Sequence, residues 1–208
     1  MKKTFKIVVV VVLAAAVAFS QGACQVPKFV PNPENVQTVY ISADWDIGSS
    51  PYDLYSASDL VVVATYKKDI RTYADGLTGE PTTISTFKVL EVVKGECKNK
   101  EIAVMYAGGI ITLEEYIKNR DSGWLAKHGM DELSEEYLKT HYIEFVSMEA
   151  PVEFVGGGQR YMLFLKYYPE DDVYIVLRFG FGALKVDGAG QVYSVHDGKW
   201  MDLSFYGK

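Results

Sequence analysis

Short β-branched segments separated by turn signals fill the C-terminal part of the sequence and constrain the fold most strongly. Residues 183–186 and 191–195 flank the turn Asp187-Gly188-Ala189-Gly190, and residues 200–205 follow Asp197-Gly198. Asp-Gly pairs favour the positive φ angles that tight hairpin turns need. The sequence therefore predicts consecutive antiparallel hairpins in this region.

Further strands are predicted upstream, around a segment whose hydrophobic period changes. The predicted strands are residues 60–66, 82–93, 102–106, 159–168 and 173–179. Between them, residues 111–142 contain capping residues for three short helices, at Thr112, at Ser122, and at Asp131 or Ser134. The pattern predicts a mainly β fold with a helical insertion at 111–142, arranged as a small antiparallel barrel or a strongly curled sheet.

The N-terminus has the organisation of a secretory signal peptide. Lys2, Lys3 and Lys6 precede an uninterrupted apolar run at residues 7–19. A helix needs about 20 apolar residues to cross a bilayer, so this run is too short to span one. A basic start, a short apolar stretch and small residues after it are typical of a cleaved signal, here residues 1–23.

The residues around the cleavage site leave two forms of the mature chain open. Gly22-Ala23-Cys24 resembles the end of a bacterial lipobox, although Gln21 stands where that motif carries an aliphatic residue. This resemblance implies a lipid on Cys24 and a protein anchored to the outer side of the membrane. Cleavage after Ser20 would instead give a secreted protein in which Cys24 could form a disulfide with Cys97.

Charge and proline content limit how the mature chain meets its surroundings. The net charge of the chain is −6, and cleavage of the signal would make it more negative by removing Lys2, Lys3 and Lys6. An acidic domain of this kind gains no electrostatic attraction to nucleic-acid phosphates or to anionic lipids. A membrane attachment would therefore depend on the lipid at Cys24. Pro27, Pro31 and Pro33 favour an extended tether over residues 24–43. Residues 44–208 are then predicted to form a single domain.

Two segments carry a resemblance to a known family. Residues 58–64 (SDLVVVA) and 87–95 (FKVLEVVKG) resemble the core of netrin-like and tissue-inhibitor-of-metalloproteinase domains. Residues 158–165 (GQRYMLFL) resemble a segment of uncharacterised exported bacterial proteins, including lipoproteins. The resemblance implies an OB-like barrel. The disulfide ladder of the animal inhibitors is absent from this sequence. Acylation of Cys24 would also block the N-terminal amine that chelates the protease zinc in those inhibitors. The resemblance is therefore used for the barrel and not for inhibition.

Motifs for catalysis or cofactor binding are not predicted. Ser85-Thr86-Phe87-Lys88 matches the S-x-x-K motif of serine β-lactamases, but residues three apart on a strand point to opposite faces. The three histidines, at positions 128, 141 and 196, show no metal-ligand spacing with the cysteines. No catalytic, cofactor-binding or metal-binding residue is therefore predicted.

Aromatic residues are the remaining candidates for a function. Flat rings stack on sugars and anchor protein interfaces. The candidate binding surface consists of Trp124, Tyr116, Tyr137, Trp45 and Trp200. These residues, with the signal peptide and the tether, predict a non-enzymatic binding module of the cell envelope whose partner is an extracellular protein or a glycan. The alternatives are a peptidase inhibitor, which the netrin-like resemblance implies, and an enzyme that uses Glu and Tyr side chains.

Overall fold

The computed structural model describes residues 31–42, 46–76 and 79–202. In chain order the strands are β1 (Val36–Ile41), β2 (Leu60–Ala74), β3 (Pro81–Lys94), β4 (Glu101–Ala107), β5 (Gly109–Thr112), β6 (Tyr142–Ser147), β7 (Arg160–Tyr168), β8 (Val173–Val176), β9 (Ala183–Val186), β10 (Gln191–Ser194) and β11 (Lys199–Asp202). The α-helices are α1 (Pro51–Ala57), α2 (Leu113–Ile117), α3 (Ser122–Lys127) and α4 (Glu135–Thr140). Single 3-10 turns lie at Pro33–Asn35 and Phe179–Gly182.

Five strands close into a barrel. They follow the order β2-β3-β4-β8-β7, and β7 pairs with both β8 and β2. All neighbours are antiparallel except β4 and β8, which are parallel. A five-stranded Greek-key barrel of this kind is OB-like, and the fold class predicted from the sequence is confirmed. The sheet continues past the barrel through β9, β10 and β11.

Long, irregular pairing between β2 and β3 lets the sheet curl. Their register shifts at four places between Val61 and Arg71. Such bulges bend a strand and increase its twist. A hairpin of two long strands can therefore take part in a closed barrel and still project beyond it.

The barrel encloses one hydrophobic core, and a second covers its outer side. The interior residues are Leu60, Val62, Ala64, Phe87, Ile102, Val104, Tyr106, Phe154, Tyr161, Leu163, Leu165 and Val176. On the outer side, the fully buried Leu54 of α1 packs against Val61, Val63 and the β7–β10 face. Helix α1 begins where the Ser50 hydroxyl accepts a hydrogen bond from the backbone N–H of Asp53, with Pro51 at its first position.

The helical insertion lies between β4 and β7 and is larger than the sequence predicted. Helices α2, α3 and α4 fall within residues 111–142, as expected. Their N-caps are Thr112 and Ser134, as predicted, and Asp121, which lies one residue before the predicted Ser122. A three-stranded sheet of order β1-β6-β5 accompanies them. A third core joins this sheet to α2 and to Ala74 at the end of β2.

Several sequence predictions need correction. The interpretation of residues 24–43 as a tether is wrong for residues 36–41, because these form β1 and pair in parallel with β6. The strand predicted at 173–179 ends at Val176, since Arg178 and Phe179 adopt positive φ angles and enter a 3-10 turn. The signal segment, Cys24 and Trp45 lie outside the described residues. None of the described helices is long and apolar enough to cross a membrane.

Candidate functional site

Two of the predicted aromatic residues meet on the insertion, where an arginine already contacts both. The rings of Tyr116 and Trp124 lie edge to face, with centroids 5.9 Å apart. The Arg120 guanidinium lies over both rings, 5.2 Å from the Tyr116 centroid and 4.7 Å from that of Trp124. Cation–π contacts of this kind hold α2 and α3 together. Both rings are half-buried, and much of their surface is therefore used within the chain.

The other described candidates lie on separate surfaces. Tyr137 of α4 stacks on His141 and is 41% exposed. Trp200 of β11 is 47% exposed and packs edge to face against Tyr193 across the β10–β11 hairpin. The structure thus brings Tyr116 and Trp124 together, places Tyr137 on the neighbouring helix α4, and puts Trp200 at the far end of the eight-stranded sheet.

A cleft lies where the barrel closes least completely. Strands β4 and β8 pair only through Val104 with Tyr174 and Met105 with Ile175. Beside this short pairing, between β4 and the β7–β8 hairpin, is an open cleft of about 380 Å³. Its lining residues are Asn99, Glu101, Ile102, Ala103, Tyr167, Asp172 and Tyr174. We call this site the seam cleft.

The β7–β8 hairpin positions the aromatic and acidic groups of the seam cleft. Tyr167 and Tyr174 are paired residues on β7 and β8, with ring centroids 5.3 Å apart and ring planes inclined at 56°. The phenol of Tyr167 donates a 2.7 Å hydrogen bond to Asp172 Oδ1. Asp172 has a φ of 53°, a left-handed conformation that Asp tolerates better than most residues. The turn therefore holds a carboxylate beside two tyrosine rings.

The charged side chains among the described residues that line the seam cleft are carboxylates, those of Glu101 and Asp172. The hydrogen bond to Asp172 is the main cause that raises the pKa of the Tyr167 phenol. The hydrogen bond to Glu170 likewise raises the pKa of Tyr168. Burial is the main cause that raises the pKa of Tyr174, and the charge of Asp172 adds to it. None of the described lining residues is a lysine or arginine.

A hydrogen-bonded polar cluster accounts for the Ser85 of the S-x-x-K match. The fully buried Ser85 hydroxyl donates to Asp69 Oδ1 at 2.7 Å, and the Tyr106 phenol contacts the same oxygen at 3.4 Å. Burial, followed by the charge of Asp69, raises the pKa of Tyr66 to about 12. Lys88 is exposed on the opposite face of β3, so the motif is not assembled as a catalytic pair.

The three histidines lie apart from one another and are not among the residues that line the seam cleft. His128 stacks on Trp124, His141 stacks on Tyr137, and His196 Nδ1 lies 2.8 Å from the Ser49 hydroxyl. Over residues 31–42, 46–76 and 79–202, no group of three or more His, Cys, Asp or Glu side chains is arranged to hold a metal ion. Cys97 is half-buried against the barrel core and borders the seam cleft, where its thiol donates a 3.3 Å hydrogen bond to the carbonyl oxygen of the lining residue Asn99.

The sequence predicts the strands that carry part of the seam cleft but does not assemble the site. Tyr167 and Tyr174 lie in the strands predicted at 159–168 and 173–179, whereas the candidate binding surface contains none of the residues that line the cleft. The local signal was the run Tyr167-Tyr168-Pro169-Glu170-Asp171-Asp172, because a hairpin turn at this place brings tyrosines and carboxylates together.

The fold and the seam cleft define an OB-like barrel protein with an open acidic and aromatic cleft. A comparison of the chain with protein families, curated proteins and solved structures found no match.

Proposed function

We propose that the chain is an exported, non-enzymatic binding module of the cell envelope that takes its ligand in the seam cleft. The observation that carries this proposal is the pairing of two tyrosine rings with two carboxylates, from Glu101 and Asp172, in one open cleft. Aromatic faces supply contact area at low entropic cost, and a few placed polar groups supply specificity. An extracellular protein or a glycan presents both apolar faces that stack on such rings and polar groups that hydrogen-bond to such carboxylates.

The seam cleft supports ligand binding better than the insertion does. Tyr116 and Trp124 contact Arg120, so a ligand would have to displace a cation that the chain provides. Tyr167, by contrast, is 41% exposed in the open cleft. Tyr137 and Trp200 are exposed rings that do not line the cleft. They stay in the proposal as additional contacts for a partner large enough to extend beyond the cleft. The carboxylates of the cleft disfavour nucleic acid as the partner.

Attachment to the outer side of the membrane through a lipid on Cys24 is part of the proposal. Its support is the basic and apolar start of the chain followed by Gly22-Ala23-Cys24. The mass of the mature chain tests it. A mass that matches a diacylated N-terminal Cys24 supports the anchor, whereas a Cys24–Cys97 disulfide would establish the secreted form instead.

Site-specific photo-crosslinking in living cells tests the binding site. Ala103 lines the seam cleft, so p-benzoylphenylalanine at this position should give a discrete adduct with the ligand after irradiation. The matched control carries the same residue at Glu91, which is exposed on the neighbouring strand β3 outside the cleft. Adducts from position 103 alone support the proposal. Equal adducts from both positions, or none from position 103, would contradict it.

A further inference from the structure

The charged groups of the seam cleft have one sign. Glu101 and Asp172 contribute carboxylates, and Asn99 contributes an amide. Lys88 lies opposite Glu101 across the β3–β4 pair, but no ion pair joins their side chains. Asp172 Oδ1 accepts the Tyr167 hydrogen bond, and Asp172 makes no ion pair with a described residue. Among the described residues, neither carboxylate therefore has a cationic partner within ion-pair distance.

The tyrosine rings of the seam cleft also attract cations, as the carboxylates do. The π face of an aromatic ring carries negative electrostatic potential and attracts ammonium and guanidinium groups that lie within about 6 Å of its centroid. The rings of Tyr167 and Tyr174 both line the cleft with their planes inclined at 56°, and Tyr174 also packs against the barrel core. Carboxylates beside such rings add charge-assisted hydrogen bonds to the N–H groups of the same cation.

We infer that the ligand of the seam cleft presents an organic cation, an ammonium or guanidinium group, which lies against Tyr167 and Tyr174 and pairs with Glu101 and Asp172. This inference rests on the proposed function and names the chemical class that the site recognises. An anionic ligand would be repelled by both carboxylates. A neutral glycan would stack on the rings but would leave both charges without a counterion.

The pKa shifts around the seam cleft agree with this inference. The pKa values of Tyr167 and Tyr168 are raised chiefly by hydrogen bonds to carboxylates, and that of Tyr174 is raised first by burial and then by negative charges. A carboxylate that opposes ionisation of a neighbouring phenol also attracts a cation at the same place. Asp172 acts in this way on both Tyr167 and Tyr174.

Two probes that differ in one functional group test the inference. The full-length chain in an uncharged polyoxyethylene detergent is titrated with N-α-acetylarginine amide or with N-α-acetylcitrulline amide, whose neutral urea replaces the guanidinium. The ring signals of Tyr167 and Tyr174 are followed by NMR. We expect the arginine amide to bind roughly tenfold more tightly, and its affinity to fall as NaCl rises from about 50 to about 500 mM.

Isosteric variants locate the binding site. Glu101→Gln and Asp172→Asn each remove one charge at nearly constant shape, and Asn tolerates the left-handed backbone at position 172. Each is expected to weaken arginine-amide binding by roughly threefold or more. Glu91→Gln makes the same change outside the cleft and should leave the affinity unchanged.

Three outcomes would overturn the inference: equal affinity for the two amides, no binding of the arginine amide, or tighter and salt-insensitive binding of neutral chitotriose. The third outcome would identify a glycan site. Crosslinking from position 103 separates these failures from a failure of the proposed function. A crosslink from position 103 with equal probe affinities would keep the binding module and discard the cation, whereas its absence would discard the binding site itself.

Discussion

The Tyr167 phenol and the Asp172 carboxylate are joined by a 2.7 Å hydrogen bond that spans the β7–β8 turn. The bond fixes the carboxylate beside the paired rings of Tyr167 and Tyr174. Asp172 adopts a left-handed conformation in this turn and lines the seam cleft. One local contact therefore organises both the aromatic and the acidic part of the site.

Removing the charge of Asp172 should lower the pKa of Tyr167. The phenol ionises with difficulty because it donates to a carboxylate, and this hydrogen bond is the main cause of its raised pKa. In Asp172→Asn the negative charge is gone, so we expect the pKa to return toward the usual value of about 10. An NMR titration of the Tyr167 ring between neutral and alkaline pH measures it. Asp171→Asn, one residue away, is the control, and an equal shift in both variants would contradict the assignment.

Asp59 should contribute stability that disappears at acidic pH. Its pKa is lowered mainly by a hydrogen bond from Lys166 and further by the Tyr167 backbone N–H, while burial opposes the shift. Because its pKa is lowered on folding, Asp59 stabilises the folded chain fully at pH values above its unfolded-state pKa of about 3.9. This stabilisation is lost as the pH falls through the pKa of Asp59 in the folded state.

Urea unfolding of Asp59→Asn and the wild-type chain tests this contribution. Both side chains of the ion pair are about half exposed, so the variant should lose less than about 1 kcal/mol at neutral pH. The two unfolding curves should converge at a pH well below the usual pKa. Asp131→Asn alters an exposed carboxylate without an ion pair among the described residues and should have no such pH dependence. A difference that persists unchanged in acid would contradict the pairing.

Replacing Gly95 by alanine should destabilise the barrel through a backbone collision. Gly95 has a φ of 81°, and a Cβ there would overlap the carbonyl oxygen of Asp59. Gly157 has a similar φ of 77° but open space around the added carbon. The backbone strain is thus common to both variants, and Gly95→Ala should lose about 1–3 kcal/mol more than Gly157→Ala. Equal free energies of unfolding would show that Gly95 is not packed against β2.

Phe154 should be among the most costly side chains to truncate. Its ring lies within the barrel core and contacts Phe87, Tyr106 and Tyr161 at centroid distances of 4.7–5.1 Å. Phe154→Ala would leave a cavity among these rings and should reduce the free energy of unfolding by about 3 kcal/mol or more. The neighbouring Val155 is 55% exposed, so Val155→Ala should change it by less than about 0.5 kcal/mol. Similar losses of unfolding free energy for the two variants in denaturant would contradict the packing of Phe154 in the barrel core.

Local hydrogen bonding explains which elements were predictable from the sequence. The helix starts at Thr112 and Ser134 depend on side chains that accept from a backbone N–H three residues on. The Asp187 turn depends on contacts within four residues, such as the bond from the Gln191 N–H. Interactions of this range leave a pattern in adjacent residues. Helix α1 has the same signal in Ser50-Pro51-Tyr52-Asp53, which the sequence analysis missed.

Pairing between distant segments explains which elements could not be predicted from the sequence. Strand β1 is half-exposed, has no fully buried residue, and meets β6 through contacts such as that of Thr38 with Glu144, 106 positions away. Strand β6 does carry a regular alternation, in which Ile143, Phe145 and Ser147 are buried. The sequence analysis predicts no strand there, because it places no element between the helical insertion at 111–142 and the strand at 159–168. The seam cleft depends on parallel pairing of Val104 with Tyr174, which no local pattern records.

Paramagnetic broadening by two nitroxides of opposite charge measures most directly whether the seam cleft is open and negatively polarised. An amino-nitroxide and a carboxy-nitroxide on the same ring are added in turn to the full-length chain, and amide signals are compared at residues 101–103 and 172–174. The amino-nitroxide should broaden these signals more strongly than the carboxy-nitroxide, and less so at high salt. Equal broadening by both nitroxides, or protection from both, would contradict a cleft that attracts its ligand by charge.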